Sequence, residues 1–470
     1  MPYEFPPQEQ EIIDRVKENG QKHVLRWIGE LSQDQREAFL DQLDRVHFEQ
    51  VREFARLIDN PPAPRDLDNI EPAPVEQLPK NGKVPRRERQ APETGQNALQ
   101  EDRVAALTVA GGQGTRLGYD GPKGAFPITP IRGHSLFRVL AEKLLAACRR
   151  YGCTLPWLIM TSPTNDAETR AFFEEQDFFG LQEKDVHFFQ QRTNPILGPD
   201  GELLLSAKGE LLVGPDGHGG VFRALSQSGL AARMLEQGFD LISYFQVDNP
   251  LVSVADPRFI GHHVEQEADF SCKVIPKRSP TEGLGAAVLE HDHPAVVEYI
   301  DLPPHLAEER NQEGELKYLF GSIAIHVIDT EFAGRMGQND EALPWHVAEK
   351  NYESLGENGD LVAGECYKFE RFVFDCLPHA DGCAFVETRR ETEFAPVKNA
   401  EGEDSPQTCR RALHNVWVKW LREAGVGVEE LADSVSTVEI SPLYATSAEE
   451  LKDRLPAEFH PEPPVVLEEE

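Results

Sequence analysis

The sequence Val104-Ala-Ala-Leu-Thr-Val109 leads directly into Ala110-Gly-Gly-Gln-Gly-Thr-Arg-Leu-Gly118, and Gly121-Pro-Lys-Gly124 follows shortly after. The first six residues form a short apolar run that predicts a buried strand. Glycines that follow a strand let the backbone approach a ligand closely, because no side chain intervenes. Their N–H groups can then point at phosphate oxygens, and Arg116 and Lys123 add positive charge. The stretch therefore predicts a loop that holds the phosphates of a nucleoside triphosphate.

Two other phosphate-binding loops do not fit this stretch. A dinucleotide-binding loop requires the pattern G-x-G-x-x-G, whereas Gly112, Gly114 and Gly118 are spaced differently. A P-loop requires Ser or Thr directly after its lysine, and here Gly124 follows Lys123. The spacing therefore argues against a NAD-dependent enzyme and against a P-loop kinase.

The composition limits the partners that this chain can take. Its 470 residues predict two or three folding units, and its formal net charge of −34 at pH 7 argues against general nucleic-acid binding. A triphosphate substrate would have to bind against this negative background. We therefore expect clustered Arg and Lys side chains and a divalent cation at the phosphate site.

Cysteine usage and the absence of targeting signals predict a cytoplasmic protein. The seven cysteines include no C-x-x-C pair, which is typical of reduced thiols rather than of a disulfide framework. The first residues, Met1-Pro-Tyr-Glu-Phe5, lack the basic and apolar segments of a signal peptide, and no apolar run approaches membrane-spanning length. We expect no membrane partner.

From Val104 onward, strand patterns alternate with helix patterns, which predicts an α/β sheet with helices on both faces and ligands at the carboxyl ends of its strands. The candidate strands are residues 104–110, 156–162, 186–190, 240–247 and 269–275, and the candidate helices are residues 135–151, 166–175, 220–237 and 256–266. Residues 197–213 predict an inserted hairpin, and strands near 284–300 and 320–328 extend or cover the sheet.

The two ends of the chain show different patterns. Residues 8–58 have helical periodicity, and the Pro-rich, charged stretch from about 60 to 99 predicts a linker. The last part predicts a helix at 406–424 and short strands up to residue 440. We therefore expect a helical N-terminal arm and linker over residues 1–99, a catalytic domain over 100–403, and a small C-terminal domain over 404–470.

Taken together, the glycine loop and four later segments resemble one enzyme family. The segments are, in order, Pro215-Asp-Gly-His-Gly-Gly220, Val247-Asp-Asn249 with Ala255-Asp-Pro-Arg-Phe-Ile260, Val297-Glu-Tyr299, and Phe394-Ala-Pro-Val-Lys-Asn-Ala400. Their order is similar to that in the eukaryote-type UDP-N-acetylhexosamine and UDP-glucose pyrophosphorylases, over roughly residues 100–420. The resemblance implies a Rossmann-like nucleotidyltransferase domain of the GT-A-like type with a mixed sheet.

The resemblance also implies roles for individual residues in binding the nucleotide. Arg116, Lys123 and Lys398 would be the catalytic cations, and Asp248, at the end of an apolar strand, would hold Mg²⁺, which prefers oxygen ligands. Asp248 could instead cap the next helix. The side-chain amide of Gln191 matches the uracil edge, because it both donates and accepts hydrogen bonds. The remaining nucleotide-binding residues would be Val109, Ala110, Gly111, Gly112, Gly217 and Lys368.

The sugar-binding residues implied by the resemblance are Glu298, Tyr299, His218 and Lys398. Two positions depart from the hexosamine enzymes. Asn is usual in those enzymes at the position of His218, whereas His is more frequent in the UDP-glucose and broad-specificity enzymes. The segment that holds the N-acetyl group is Asn-rich in the family, but here it carries Leu319, Phe320 and Ser322.

The expected activity is that of a Mg²⁺-dependent uridylyltransferase. It would join UTP to a sugar 1-phosphate, N-acetylglucosamine 1-phosphate first among them, by direct displacement at the α-phosphorus, as a monomer or homodimer. A UDP-glucose or broad-specificity UDP-sugar pyrophosphorylase is the alternative, and a non-catalytic sugar-nucleotide sensor is a third reading.

Overall fold

The computed structural model describes residues 6–469 except 64, 68, 80–83, 429–430, 432–433 and 457. Residues 1–5, the basis for expecting no signal peptide, lie outside the described residues. Among the described residues, no helix combines the length and the apolar composition that a membrane span requires.

The described residues form α-helices and several short 3₁₀ segments. The α-helices are α1 Pro7–Glu18, α2 Gln33–Asp44, α3 Phe48–Asp59, α4 Arg86–Gln100, α5 Leu136–Tyr151, α6 Asp166–Glu175, α7 Gly220–Gln227, α8 Leu230–Glu236, α9 Pro257–Glu265, α10 Pro304–Ala307, α11 Thr330–Gln338, α12 Arg390–Glu393, α13 Pro406–Glu423 and α14 Ala448–Arg454. Short 3₁₀ segments cover Lys22–Glu30, Thr115–Leu117, Lys123–Ala125, Asp177–Gly180, Glu183–Asp185 and Val373–His379.

The strands alternate with these helices through most of the chain. They are β1 Ile70–Pro72, β2 Val75–Glu76, β3 Val104–Val109, β4 Trp157–Thr161, β5 Val186–Gln190, β6 Thr193–Pro195, β7 Leu205–Ala207, β8 Glu210–Leu211, β9 Val213–Pro215, β10 Leu241–Gln246, β11 Phe270–Pro276, β12 Ala286–Glu290, β13 His293–Val297, β14 Phe320–Asp329, β15 His346–Leu355, β16 Leu361–Glu370, β17 Cys383–Glu387, β18 Val438–Ile440 and β19 Val465–Leu467.

The chain divides into two compact units. The first contains residues 1–65, 192–220 and 343–373, and the second contains residues 66–191, 221–342 and 374–470. This division follows the contacts of the folded chain rather than its order in sequence. The arm, catalytic domain and C-terminal domain expected from the sequence stay a prediction.

The first unit joins helices α1–α3 to antiparallel hairpins. Strand β6 pairs with β9, β7 with β8 inside the predicted hairpin, and β15 with β16. The core of this unit joins the helices to the hairpins, with Phe54 stacked on Phe369 at 3.8 Å between ring centroids.

The second unit is built on a mixed sheet. Eleven strands of the described residues belong to it, and the main path runs in the order β2-β17-β11-β14-β10-β3-β4-β5. Strands β10, β3, β4 and β5 are parallel neighbours, whereas β14 runs antiparallel to both β10 and β11. Parallel strands buried on both faces explain the continuous apolar runs in the sequence. The predicted α/β fold with a mixed sheet is confirmed.

Two predicted elements were wrong. The expected linker contains helix α4, in spite of Pro92 inside it. Helix α4 packs so closely on α9 that glycine is needed at both contact points. A Cβ added to Gly95 would lie 1.9 Å from the Pro257 carbonyl oxygen, and a Cβ added to Gly261 would lie 1.7 Å from the Ala91 carbonyl oxygen. The helix predicted over 220–237 is interrupted at Gly229, whose φ of +73° ends one helix and starts another.

Candidate active site

The carboxyl ends of strands β3, β4, β5 and β10 lie side by side in the second unit. Main-chain hydrogen bonds continue past the ladder, from Ala110 N to the Met160 carbonyl (2.8 Å), from Gln191 N to that of Thr161 (2.9 Å), and from Val247 N to that of Val109 (3.1 Å). Ligands bind at this edge of an open α/β sheet. The glycine loop, Gln191 and Asp248 are therefore neighbours along one edge.

The glycine loop is ordered by its own backbone. Gly114 N donates to the Gly121 carbonyl at 2.9 Å, and Lys123 N donates to the Gly112 carbonyl at 3.1 Å. In contrast, the N–H groups of residues 111–113 donate to no group of the described residues. Adjacent N–H groups without protein acceptors, held on a rigid turn, suit an anion.

Asn165, the residue directly before α6, holds this loop in place, although we did not single it out from the sequence. Asn165 is fully buried, and its Nδ2 donates to the carbonyls of Ala110 (2.8 Å) and Gly112 (3.2 Å). Its Oδ1 accepts from Ser162 N at 2.8 Å. Asn at the start of a helix is common, so the sequence offered no signal that this side chain reaches back to the loop.

Lys123 and Asp248 meet at this edge. Lys123 Nζ donates to Asp248 Oδ2 at 3.2 Å, although 125 positions separate the two residues. Asp248 does not cap the next helix: α9 begins only at Pro257, and Asp256 caps it by accepting from Arg258 N. The side chain of Asp248 is therefore not used as a helix cap and can contact a ligand at this edge of the sheet. Arg116 lies in the exposed part of the loop and has no hydrogen-bond or ion-pair partner among the described residues.

The segment that carries Lys398 is tied to the same place through main-chain atoms. Val397 N donates to the Asp248 carbonyl at 2.9 Å. The side chain of Asn249 holds the preceding residues, since its Nδ2 donates to the Glu393 carbonyl (2.7 Å) and its Oδ1 accepts from Ala395 N (3.1 Å). Residues about 150 positions apart thus become neighbours.

Lys398 itself faces an acidic partner. Its Nζ lies 3.8 Å from Asp404 Oδ2, and both side chains are partly exposed. Burial raises the pKa of the Asp404 carboxyl, the nearby Lys398 opposes this shift, and Asp248 adds to it. Asp248 is therefore close enough to Asp404 for its negative charge to disfavour the ionised form of Asp404.

Gln191 packs on the glycine loop. It is buried, and a Cβ added to Gly111 would lie only 2.6 Å from its Nε2, so any side chain at position 111 would displace the Gln191 amide. The amide of Gln191 has no hydrogen-bond partner among the described residues. A buried amide without a partner can bind a ligand that offers both a donor and an acceptor.

Glu298 and Tyr299 lie just beyond β13 rather than inside a strand. Residue Ala286 of β12 pairs with Val297 and with Gly321 of β14, which brings this hairpin to the start of β14. Tyr299 is 48% exposed and lies beside Gly283. Ser322 N donates to the Gly285 carbonyl at 2.8 Å, so the segment with Leu319, Phe320 and Ser322 lies next to this hairpin.

Three predicted site residues, Gly217, His218 and Lys368, belong to the first unit. Gly217 has a φ of +86°, and a Cβ there would lie 2.4 Å from the Arg371 carbonyl oxygen, so glycine is required. His218 Nδ1 accepts from Val373 N at 2.9 Å, which places the proton of the neutral ring on Nε2. Lys368 Nζ lies 2.6 Å from Glu370 Oε1.

A divalent cation fits at Asp248. Among the described residues, no group of three or more His, Cys, Asp and Glu side chains could hold a metal. Mg²⁺, however, is usually bound by one or two carboxylates together with substrate phosphates. Asp248 Oδ1 accepts no hydrogen bond from the described residues, so one carboxylate oxygen is available.

Comparison with known proteins identifies the family. The family model described as UTP–glucose-1-phosphate uridylyltransferase matches residues 45–419. The chain is 35% identical to UDP-N-acetylhexosamine pyrophosphorylase-like protein 1 of Xenopus tropicalis, over 97% of this chain and 95% of that protein. It is 33% identical to UDP-N-acetylglucosamine diphosphorylase 2 of Arabidopsis thaliana, over 96% of this chain and 93% of that protein.

A solved structure supports the same assignment. The uridine diphosphate N-acetylglucosamine pyrophosphorylase from Trypanosoma brucei, in complex with an inhibitor, is 28% identical, with a TM-score of 0.78, over 96% of this chain and 95% of that chain. Order of motifs, fold and relatives therefore agree, and the chain belongs to the UTP–glucose-1-phosphate uridylyltransferase family.

Proposed function

We propose that this chain transfers the uridylyl group of UTP to a sugar 1-phosphate, preferentially N-acetylglucosamine 1-phosphate, and releases pyrophosphate. One observation supports the proposal most: a strand-end loop, whose N–H groups at residues 111–113 have no acceptor among the described residues, adjoins the Lys123–Asp248 pair, and a hydrogen bond from Val397 ties the segment of Lys398 to the Asp248 main chain. Relatives named for UDP-N-acetylhexosamine and UDP-N-acetylglucosamine favour the amino sugar.

The reaction requires placement of anions rather than a covalent intermediate. A phosphate oxygen of the sugar 1-phosphate attacks the α-phosphorus of UTP, and the bond to the β-phosphate oxygen breaks. Both oxygens carry charge already, so the enzyme must hold two anions together and stabilise the charge around phosphorus. The N–H groups of residues 111–113 and the side chain of Arg116 would bind the triphosphate, and Lys123 and Lys398 would stabilise the transition state.

The metal ion has a defined place in this proposal. Members of the family generally use a divalent metal ion, and we assign Mg²⁺, held by Asp248 and substrate phosphates. When bound, it would neutralise phosphate charge. Lys123 would then bind phosphate oxygens in place of the Asp248 carboxylate.

The substrates would be recognised on either side of the phosphates. Gln191 would bind the uracil edge, next to Val109, Ala110 and Gly111, and Gly217 would pack against the base. Lys368 would leave Glu370 to reach the nucleotide. Glu298, Tyr299 and the Nε2–H of His218 would bind the sugar hydroxyls.

A UDP-glucose or broad-specificity UDP-sugar pyrophosphorylase is the second candidate. His218, with its proton on Nε2, is a donor where the amino-sugar enzymes usually have Asn, and Leu319, Phe320 and Ser322 replace the Asn-rich segment. A sensor without activity is less favoured, because Arg116, Lys123, Asp248 and Lys398 are all present.

We further propose that the protein works in the cytoplasm as a monomer or homodimer, with the arm, catalytic domain and C-terminal domain bounded as the sequence predicts. All seven cysteines lie among the described residues as free thiols, which suits a reducing compartment. Light scattering of the purified chain would give its oligomeric state.

Pyrophosphate release from UTP tests the function directly. The purified chain is assayed with N-acetylglucosamine, N-acetylgalactosamine, glucose and galactose 1-phosphates. We expect the largest kcat/KM with N-acetylglucosamine 1-phosphate. A larger value with glucose 1-phosphate would establish the second candidate, and no release with any of the four would overturn the proposed activity.

A further inference from the structure

Lys277 is a buried cation that neither the sequence motifs nor the proposed mechanism uses. It follows the carboxyl end of β11, is 6% exposed, and its backbone N donates to the Leu319 carbonyl at 2.8 Å. Its Cγ lies 3.3 Å from the position that a Cβ on Gly321 would occupy. The stem of Lys277 is therefore packed against the start of β14.

The ammonium group of Lys277 is not directly paired with any carboxylate of the described residues. Lys277 Nζ makes no hydrogen bond or ion pair with any of the described residues. Burial lowers its pKa, and Glu282 opposes that shift from a longer distance. A buried charge without a partner is costly, so its retention points to a ligand that supplies the partner.

Glu282 cannot supply that partner, because its carboxylate is already bound. Oε1 lies 2.8 Å from Arg390 Nη1, and Oε2 accepts from Arg278 N at 2.7 Å. Burial lowers the pKa of Arg390, and nearby Arg278 lowers it further. The cations Lys277, Arg278 and Arg390 lie near one another, while the nearby carboxylates are Glu282 and Glu391, in a chain whose net charge is −34. Such a local excess of positive charge suits an anion.

This cluster adjoins the residues assigned to catalysis. Arg390 Nη2 donates to the carbonyl of Pro276, directly before Lys277, at 3.3 Å. The Arg390 guanidinium lies 5.9 Å from the centroid of the Phe394 ring, and Lys398 Nζ lies at the same distance from that ring. One aromatic side chain therefore links the cluster to Lys398.

The order of strands indicates which anion Lys277 can reach. What we term the glycine-loop side consists of residues 110–124, Asn165, Gln191 and Asp248, at the ends of β3, β4, β5 and β10. Lys277 instead follows β11, which lies two places from β10 on the opposite side from β3. Lys277 lies near the β12–β13 hairpin. We term Lys277, Glu298 and Tyr299 together the hairpin side. Gly321, which packs against Lys277, also packs against Leu284. The next residue, Gly285, lies close to Glu298: a Cβ added to Gly285 would be 3.2 Å from Glu298 Oε1.

We propose that Lys277 binds the phosphate group of the sugar 1-phosphate and so acts as a second acceptor-phosphate cation beside Lys398. This inference rests on the proposed function and assigns a further substrate-binding residue to it. A phosphate bound by cations from β11 and from the Lys398 segment would be held in position for attack on the α-phosphorus. The triphosphate, on the glycine-loop side, would not contact Lys277.

Substitution of Lys277 by Met tests the proposal, because Met keeps the apolar stem and removes the charge. We expect the KM for N-acetylglucosamine 1-phosphate to rise at least ~10-fold, with the KM for UTP within ~2-fold of its original value. Lys277→Arg should recover part of the loss. The matched control is Lys317→Met, which removes a lysine of the same region that is paired with Glu309 at 3.0 Å, and both KM values should stay unchanged.

The outcomes separate this proposal from the proposed function. If the unsubstituted enzyme is active and Lys277→Met leaves the KM for the sugar 1-phosphate unchanged, or raises both KM values in parallel, the assignment of Lys277 is wrong and the function stands. If the unsubstituted enzyme releases no pyrophosphate with any sugar 1-phosphate, the function is wrong and the assignment fails with it.

A measurement on the unsubstituted enzyme covers the case in which Lys277→Met does not fold. An amine-acylating reagent labels lysines of lowered pKa readily, and mass spectrometry gives the labelled fraction at Lys277. N-acetylglucosamine 1-phosphate added with a non-hydrolysable UTP analogue should protect Lys277, and the analogue alone should not. Equal protection by the analogue alone, or no protection by either, would overturn the assignment.

Discussion

The glycine-loop side and the hairpin side of the second unit differ in how firmly their side chains are held by the fold. The first presents backbone N–H groups and buried side chains, with Asn165 0%, Gln191 6% and Asp248 7% exposed. The second presents long side chains at the end of a short hairpin, where Tyr299 is 48% and Ile300 is 70% exposed. The difference leads us to expect that the rigid backbone of the glycine-loop side holds the phosphates, whereas the exposed Tyr299 and Ile300 can change at little cost to the fold.

Lys398→Ala should have the largest effect, because Lys398 joins the two sides. We expect kcat to fall at least ~10²-fold, since the charge that stabilises the transition state is lost. Lys398 is partly exposed, so the thermal unfolding midpoint should hardly change. Lys419→Ala, which removes an exposed lysine of α13, is the control for surface charge. Near-normal turnover of Lys398→Ala would refute the assigned role.

Asp248→Asn tests the glycine-loop side alone. The metal concentration for half-maximal activity should rise ~10- to 100-fold, because an amide oxygen is a weaker Mg²⁺ ligand than a carboxylate. The main-chain bond from Val397 to the Asp248 carbonyl remains, so the position of Lys398 is kept. A Mg²⁺ titration measures the effect, and an unchanged titration would exclude Asp248 as the ligand.

Glu298→Gln tests the hairpin side. Loss of one charged hydrogen-bond acceptor should raise the KM for the sugar 1-phosphate ~10-fold, with the KM for UTP nearly constant. Glu308→Gln, at the end of α10, serves as the control. Equal changes in both KM values would mean that the two sides are not separate in function.

We expect the smallest effect from Lys143, which holds the main chain that follows Asp248. Lys143 is buried and donates to the carbonyls of Pro250 (2.6 Å) and Val252 (2.8 Å), and burial lowers its pKa to about 8. Between about pH 8 and the ordinary lysine pKa, the unfolded chain binds more protons at this position than the folded chain does. The contribution of Lys143 to the free energy of unfolding should therefore rise with pH, by at most ~1.4 kcal/mol per pH unit.

Comparison of urea unfolding of the unsubstituted chain and Lys143→Met from pH 7.5 to 10 isolates this contribution, because the titration of other groups cancels in the difference. As the pH rises, the free energy of unfolding of the unsubstituted chain should increase relative to that of Lys143→Met. A difference that is independent of pH would show that Lys143 titrates as an ordinary lysine.

Local sequence patterns were sufficient for most of the second unit. The predicted strand at 186–190 and helix at 166–175 have the predicted bounds, because turn residues mark both ends of each run. Helix α4 escaped prediction, because its stability comes from close contact of Gly95 with α9 and from the bonds of Glu88 to Arg258 and His262, not from local propensity.

The candidate site divides in the same way. Glycines, strand ends and a known order of motifs singled out Lys123, Asp248 and Gln191, which lie along one edge of the sheet; their roles stay a prediction. Asn165 and Lys277 were missed, because nothing in their sequence context distinguishes them. Asn165 is important because it binds two carbonyls of the glycine loop, and Lys277 because its ammonium group has no direct partner among the described residues. Both properties arise only when the chain folds.

The hydrogen bond from Val397 to Asp248 joins two main-chain groups, so exchange of either side chain leaves it intact. Proline at position 397 is the exception, since it has no N–H. The position of the Lys398 segment relative to Asp248 therefore depends on main-chain atoms. If the proposed roles hold, substitutions at Glu298 and Tyr299 should change the preferred sugar 1-phosphate without moving Lys398 away from Asp248.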